Sequence, residues 1–317
     1  MIKVINPSVE FWNQEGYTLN AIWKHIARCT RVAYQSTPKN ENEDAYEFLK
    51  RTIFKGKDVL NEPLTKEDIL SMHLSCCEHA TVHLKIPMVD ICIGQTNRFI
   101  DQPYSRVKKY DRYCYVVTNM RVLLENHWID SLKYIDNTPN NPYYIPRTTV
   151  CFITDIGASR ELNRHRVNSI VEESTRYCAY DKGKFGKGIT VAKLPWIPDI
   201  DPEDEGHDYT EGFFNDNEIF NDECIEEQYT DNWNAIDWFF YGLQICDLVY
   251  RKTRELGWTA QQAREILPLN TKTQVVHTAF VDDWEHWLAL RSSEVSGKVH
   301  PMMAELAKQL VKQVYPE

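Results

Sequence analysis

The run Arg164-His165-Arg166-Val167-Asn168-Ser169-Ile170-Val171-Glu172-Glu173-Ser174-Thr175-Arg176-Tyr177 places three arginines and a histidine in one short stretch and closes it with hydroxyls and a tyrosine. Guanidinium forks match phosphate oxygens in pairs, so this density of donors suits a small phosphorylated ligand. A second reading stays open at this point. On a helix, Glu172 and Arg176 would be i,i+4 neighbours, and part of the cluster could be a surface ion-pair face.

Other residues compete for a chemical role. His79 and His83 are spaced to share one face of a helix or a strand, but no third ligand and no H-E-x-x-H pattern lies nearby. No metal is expected there, and His83 reads as a strand histidine with a hydrogen-bonded ring. The tract Asp181-Lys182-Gly183-Lys184-Phe185-Gly186-Lys187-Gly188 lacks the G-x-x-x-x-G-K-[ST] arrangement of a phosphate loop. It reads as a flexible basic loop, with room for contact with a folate glutamate or an NADPH phosphate. Cys178, just beyond Tyr177, could be a thiolate nucleophile lowered by Arg176, or a buried small residue.

Composition narrows the classes. A formal charge of −10 argues against a general nucleic-acid binder, which needs a basic surface. No apolar run approaches the roughly 20 residues of a membrane helix. The nine cysteines form no C-x-x-C pair and fit reduced thiols. The segment MIKVINPSVEFWNQEG has neither the apolar core of a secretory signal nor an Arg-rich transit pattern, so a cytoplasmic location is expected.

The motifs carry a resemblance. Arg164-His165-Arg166, seven residues, then Ser174 matches the signature of flavin-dependent thymidylate synthases. A chance match to four fixed residues in a chain this long is on the order of one in a thousand. Upstream, His73-Leu74-Ser75-Cys76-Cys77-Glu78-His79 resembles that family's His-x-Thr-x-x-Glu-His segment. Downstream, Ala263-Arg264-Glu265-Ile266-Leu267-Pro268-Leu269 resembles its Ala-Arg-x-x-Leu-Pro-Leu, and His286-Trp287-Leu288-Ala289-Leu290-Arg291 its His/Asn-Phe-Leu-x-Leu-Arg element.

The resemblance implies an α+β fold, a mostly antiparallel sheet flanked by helices, in a single catalytic domain over residues 1–317 with insertions near 93–147 and 193–232. It implies conversion of dUMP to dTMP, with methylenetetrahydrofolate as carbon donor and NADPH-reduced FAD as hydride donor, in a homotetramer with shared active sites. FAD would be lined by His73, Ser75, Glu78, Arg164, His165, Arg166, Glu172, His286 and His300. For dUMP the expected residues are Glu161, Arg164, Glu172, Glu173, Ser174, Thr175, Arg176, Arg264 and Arg291, with Arg291 the catalytic one. Departures from the family pattern are Glu161 where many members have Gln, Phe280 and Asp282 where compact members use Asn and Arg toward the flavin, and Ala33 in place of a serine.

These residues need elements to hold them. Apolar spacing predicts helices around Leu19–Ile26 and Tyr46–Phe54, and one opening near Thr65 with Asp68 as its box partner. Strands are expected in ATVHLKIPM, YCYVVTN and TTVCFITDI, the last two joined by NTPNNPYYIP. Helices follow over Asn234–Leu256, closed by Gly257, from Thr259 with Gln262 to Pro268, from Asp282 or Asp283 to Leu290, and from about Pro301 to Val314. The acidic stretch between Pro195 and Asp231 fits no period and reads as a solvated surface insertion, with a lid or partner-binding role as the other possibility.

Overall fold

Apolar side chains at successive positions let a strand bury both faces, and two nine-residue strands with such runs pair along their whole length at the centre of this chain. The computed structural model describes residues 2–39, 43–91, 97–181, 188–198, 233–292 and 297–314. Its strands are β1 (Lys3–Ile5), β2 (Ser8–Phe11), β3 (Thr81–Pro87), β4 (Arg106–Tyr110), β5 (Tyr113–Asn119), β6 (Arg147–Asp155), β7 (Ser169–Glu172), β8 (Thr190–Ala192) and β9 (Lys272–Phe280). The antiparallel sheet β2-β6-β9-β7 is central, β3-β5-β4 forms a second antiparallel sheet, and β1 pairs with β8 in parallel. Helices flank these sheets: α1 (Leu19–Tyr34), α2 (Ala45–Thr52), α3 (Lys66–Ser71), α4 (Met120–Glu125), α5 (Ile156–Leu162), α6 (Ala235–Glu255), α7 (Ala260–Ala263), α8 (Val281–Ser292) and α9 (Pro301–Val314). The chain is α+β, as expected. No helix among the described residues is long and apolar enough to cross a membrane.

The register of the central pair explains the core. Val150 lies opposite His277 and Phe152 opposite Val275, so these four share one face. That face packs against Ala158 of α5, Phe240 and Leu243 of α6, Trp284 and Trp287 of α8, and Leu306 of α9. Cys151 and Val276 point the other way, onto Ile22, Ile26 and Cys29 of α1 and onto Val82, Leu84 and Val116 of the second sheet. Each fully buried aliphatic or aromatic side chain here stabilises the fold by about 1.5–3 kcal/mol.

The helix ends follow from side-chain chemistry. Thr65 and Asp68 form the expected capping box of α3, as do Thr259 and Gln262 for α7. Asn234 and Asp237 form another at the start of α6, and beyond its end Gly257 takes a φ of 98°, the left-handed backbone that glycine adopts without strain. Two features differ from the sequence expectation. The chain does not pass straight from β5 through NTPNNPYYIP to β6, because α4 and a 3-10 turn at Ile129–Tyr134 come first. Strand β9 has no counterpart in the expected elements; its polar residues Thr273, Thr278 and His277 mask the alternation, and pairing on both edges buries them.

Candidate functional site

At the end of β6, Asp155 caps α5, its carboxylate accepting the Ala158 N–H at 2.6 Å. The helix carries Glu161 in its last turn, and Arg164 and His165 follow in the turn beyond it. Arg291, in the last turn of α8, reaches this point. Its Nε donates to His165 Nε2 at 3.1 Å, its Nη1 to Glu161 Oε2 at 3.3 Å, and its Nη2 to the Glu161 carbonyl at 3.1 Å. Arg164 meets the other carboxylate oxygen of Glu161 at 3.1 Å. The carboxylate that replaces the family's glutamine is therefore compensated by two arginines. A guanidinium has five N–H groups, so this arrangement fixes Arg291 and still leaves donors for a ligand.

Because Arg291 donates to Nε2, the ring proton of His165 belongs on Nδ1. Burial, then the charges of Arg291 and His286, push its pKa down to about 4 against the opposing pull of Glu161. His165 is a neutral acceptor at physiological pH. His286 itself is exposed.

A second group gathers where β7 ends. Ser174 N–H donates to the Ala33 carbonyl at 3.1 Å, tying the turn to the end of α1. Arg176 Nε donates to Gln261 Oε1 at 3.1 Å, and Arg264 Nη1 approaches Thr175 Oγ1 at 3.5 Å. The segment is strand and turn rather than helix, so the i,i+4 ion pair of Glu172 with Arg176 does not form. Glu172 instead accepts from Asn163 Nδ2 at 3.0 Å and Thr273 Oγ1 at 3.1 Å. Glu173, expected beside the substrate, is turned into the interior: its side chain is 1% exposed and paired with Lys272 at 2.6 Å. Burial raises its pKa while Lys272 opposes the shift. Alternation along an extended chain puts these adjacent glutamates on opposite sides.

A third group lies around the 3-10 segment Leu74–Glu78. His73 and Ser75 are exposed, and Glu78 forms an ion pair with Arg121 while its carbonyl accepts from Arg147 Nη2 at 3.0 Å. Arg166 is exposed beside a cleft that Arg147 and Phe280 also line. Phe280 is buried and Asp282 exposed. His300 joins none of the three groups among the described residues. It accepts the Met302 N–H at 3.2 Å and packs against Trp196.

Sequence reading passed over Arg121, Arg147 and Lys272. The signal for Arg147 was an arginine opening a strand whose centre, Val150 to Ile153, is apolar. The expected hydrogen-bonded ring of His83 is not found: both its ring nitrogens are buried without a partner, and it is sandwiched between Tyr17 at 3.7 Å and Tyr144 at 4.0 Å. His79 is buried with Nδ1 2.9 Å from Thr278 Oγ1. Cys178 is fully buried. Residues 182–187 of the basic tract and 199–231 of the acidic stretch lie outside the described residues.

On this α+β scaffold Arg164 and Arg291 gather beside Glu161 and the neutral His165, and Arg176 and Arg264 form a second group, a chemistry that suits a small anionic ligand. The family model described as "Thymidylate synthase complementing protein" matches residues 102–317, and the chain belongs to that family. Over 68 residues it is 32% identical to a probable flavin-dependent thymidylate synthase of Paramecium bursaria Chlorella virus 1; the match covers 22% of this chain and 32% of the viral protein. The chain thus spans about a third of that relative's length. Among solved structures, Helicobacter pylori thymidylate synthase X with FAD and dUMP aligns at 19% identity and a TM-score of 0.32, over 52% of this chain and 65% of that one. A UMP/dUMP methylase, PolB, from Streptomyces cacaoi bound with 5-Br UMP aligns at 13% identity and a TM-score of 0.40, over 99% and 91%.

Proposed function

We propose that this chain is a flavin-dependent thymidylate synthase that methylates dUMP to dTMP with FAD, methylenetetrahydrofolate and NADPH. The observation that carries the reading is the fixed guanidinium of Arg291 between Glu161 and His165. Position C5 of dUMP is a poor nucleophile while the ring is neutral. Loss of the N3 proton spreads negative charge over O2 and O4 and pushes electron density toward C5. A guanidinium held beside N3 and O2 stabilises that anion, and pre-positioning means little reorganisation is needed when charge develops. Ser174, Arg176 and Arg264 would hold the phosphate and sugar, with charge-assisted hydrogen bonds from the two arginines. Glu172, tied to Asn163 and Thr273, would orient the sugar side.

FAD, when bound, would supply the hydride. The residues at hand suit such a group: Arg166 is exposed beside a cleft, and His73 and Ser75 are exposed with Glu78 close by. These residues fall into three separate groups within one chain, which supports an active site completed between subunits of a homotetramer. A cytoplasmic location belongs to the same proposal. The burial of Cys178 disfavours the alternative in which a cysteine thiolate attacks the pyrimidine.

The test is to follow NADPH oxidation with and without dUMP, and dTMP release with and without methylenetetrahydrofolate. Oxidation should accelerate with dUMP, dTMP should require the folate, and Cys178→Ala should keep activity. A flavin-stripped protein that forms dTMP at the full rate would overturn the proposal. A chain that binds dUMP but never turns over would be a nucleotide-binding protein instead.

A further inference from the structure

Three guanidiniums line one cleft, and none of them forms an ion pair among the described residues. Arg106, Arg147 and Arg166 line a space of about 230 Å³ together with Phe280 and Asp283. Arg106 donates to the backbone carbonyls of Pro103 at 3.3 Å and Ser105 at 3.4 Å and lies over the Phe280 ring at 4.5 Å. Arg147 donates to neutral acceptors, the carbonyls of Glu78 at 3.0 Å and Ala80 at 3.5 Å and the hydroxyls of Thr81 and Ser169 at 3.5 Å. The Arg147 side chain keeps some surface toward the cleft, but its Nε is sealed from solvent and has no acceptor. Arg166 is exposed and makes no ion pair among the described residues. Asp283 on the cleft wall pairs with none of the three, and Glu78 is committed to Arg121.

Arg106 and Arg147 are half-buried and Arg166 is exposed, and an enclosed charge such as that of Arg147, whose Nε is sealed, is costly unless a counter-charge arrives. Burial pushes Arg147 down to about 10, with Glu78 and Asp283 opposing and Arg106 adding to the effect. Among the described residues the lining of this cleft holds one carboxylate, Asp283, against three guanidiniums. Planar forks converging from three backbone segments match the oxygens of a phosphate.

We infer that Arg106, Arg147 and Arg166 form a subsite for a nucleotide cofactor's phosphate, with Arg106 and Arg147 supplied by the inserted segment near 93–147. The choice of cofactor rests on the flavin reading above. The diphosphate of FAD and the 2′-phosphate of NADPH share the required chemistry.

Full-length protein stripped of flavin would be titrated with FAD, riboflavin, NADPH and NADH, for the wild type, Arg106→Gln and Arg147→Gln, with thermal melts to confirm folding. Arg106 reaches only backbone acceptors, so its variant keeps the test open if Arg147→Gln does not fold. Each variant should weaken FAD roughly tenfold or more with riboflavin unchanged, or NADPH likewise with NADH unchanged; the pair that responds identifies the phosphate. Equal factors for all four ligands, or no change in any, would overturn the subsite. If the wild type binds no flavin, the flavin reading fails by itself. Calorimetry with inorganic pyrophosphate then decides the cleft: binding lost in Arg106→Gln supports it, and no binding to the wild type refutes it.

Discussion

Arg291 has a side chain only 15% exposed and is held at three points before any ligand arrives. Truncation therefore removes a pre-organised donor rather than a mobile charge. For Arg291→Ala, dTMP formation at saturating dUMP should fall a hundred- to thousand-fold, corresponding to roughly 2.7–4 kcal/mol of transition-state stabilisation. Flavin occupancy, read by absorbance, should persist. Arg291→Lys should rescue poorly, because one ammonium cannot serve both His165 and Glu161 in the same planar geometry. Near-normal turnover in both variants would reduce Arg291 to a helix-end charge. Arg176 and Arg264 make a different prediction. Each substitution by alanine should weaken dUMP binding by roughly 1.5–3 kcal/mol while deoxyuridine, lacking the phosphate, is affected much less. Equal losses for the two ligands would show that neither arginine holds phosphate.

Helix α5 sets the position of Glu161, and its start is defined by Asp155. That carboxylate is 3% exposed and accepts the Ala158 N–H, while a Cβ added to Gly157 would come within 3.0 Å of its Oδ1. Cap and glycine are matched, since a side chain at 157 would press on that oxygen and push the cap aside by a few tenths of an ångström. Asp155→Ala should cost about 1 kcal/mol, within a range of roughly 0.5–2, in urea unfolding, and Asp155→Asn much less because an amide oxygen caps as well. The alanine variant should also slow turnover at saturating dUMP, since fraying of α5 loosens Glu161 from Arg291. Full stability for Asp155→Ala would mean that packing of Ala158 and Leu162 alone fixes the helix.

Across the whole molecule, buried histidines couple folding to pH. Burial is the first cause in each case: it lowers His25, His83 and His165 to about 4 and His277 to about 3, and holds His79 well below its ordinary value. In the unfolded chain each titrates near 6.5, so between about 6.5 and about 4 the unfolded state binds more protons. Stability from these groups is complete above that window and is lost as pH falls through it. The raised carboxyls of Asp155, Glu173 and Asp283 act in the opposite sense but are fewer. The thermal midpoint should therefore drop steadily as pH falls from about 7 to about 5. His83→Phe, which keeps a ring between Tyr17 and Tyr144, should flatten that slope. An unchanged midpoint across the range would show that these rings are accessible to protons in the folded state.

Periodicity and caps made much of the architecture legible, because α1, α3, α6 and α9 depend on neighbours three or four residues away and on their own first turns. The signature likewise marked an arginine-rich cluster through residue type alone, although residue type left an ion-pair face equally open. Tertiary structure decided the rest. Strand β9 became visible only through its partners β6 and β7, which bury Thr278 and His277 in positions that look polar in sequence. Which of Glu172 and Glu173 turns into the interior depended on strand alternation, and Glu173 is the one buried against Lys272. Arg147 and Arg106 lie far from Arg166 along the chain and share a cleft only after β6, β7 and β9 pair. Local propensity is encoded within a few residues, whereas contacts between distant segments depend on register and on which faces the core leaves free to meet.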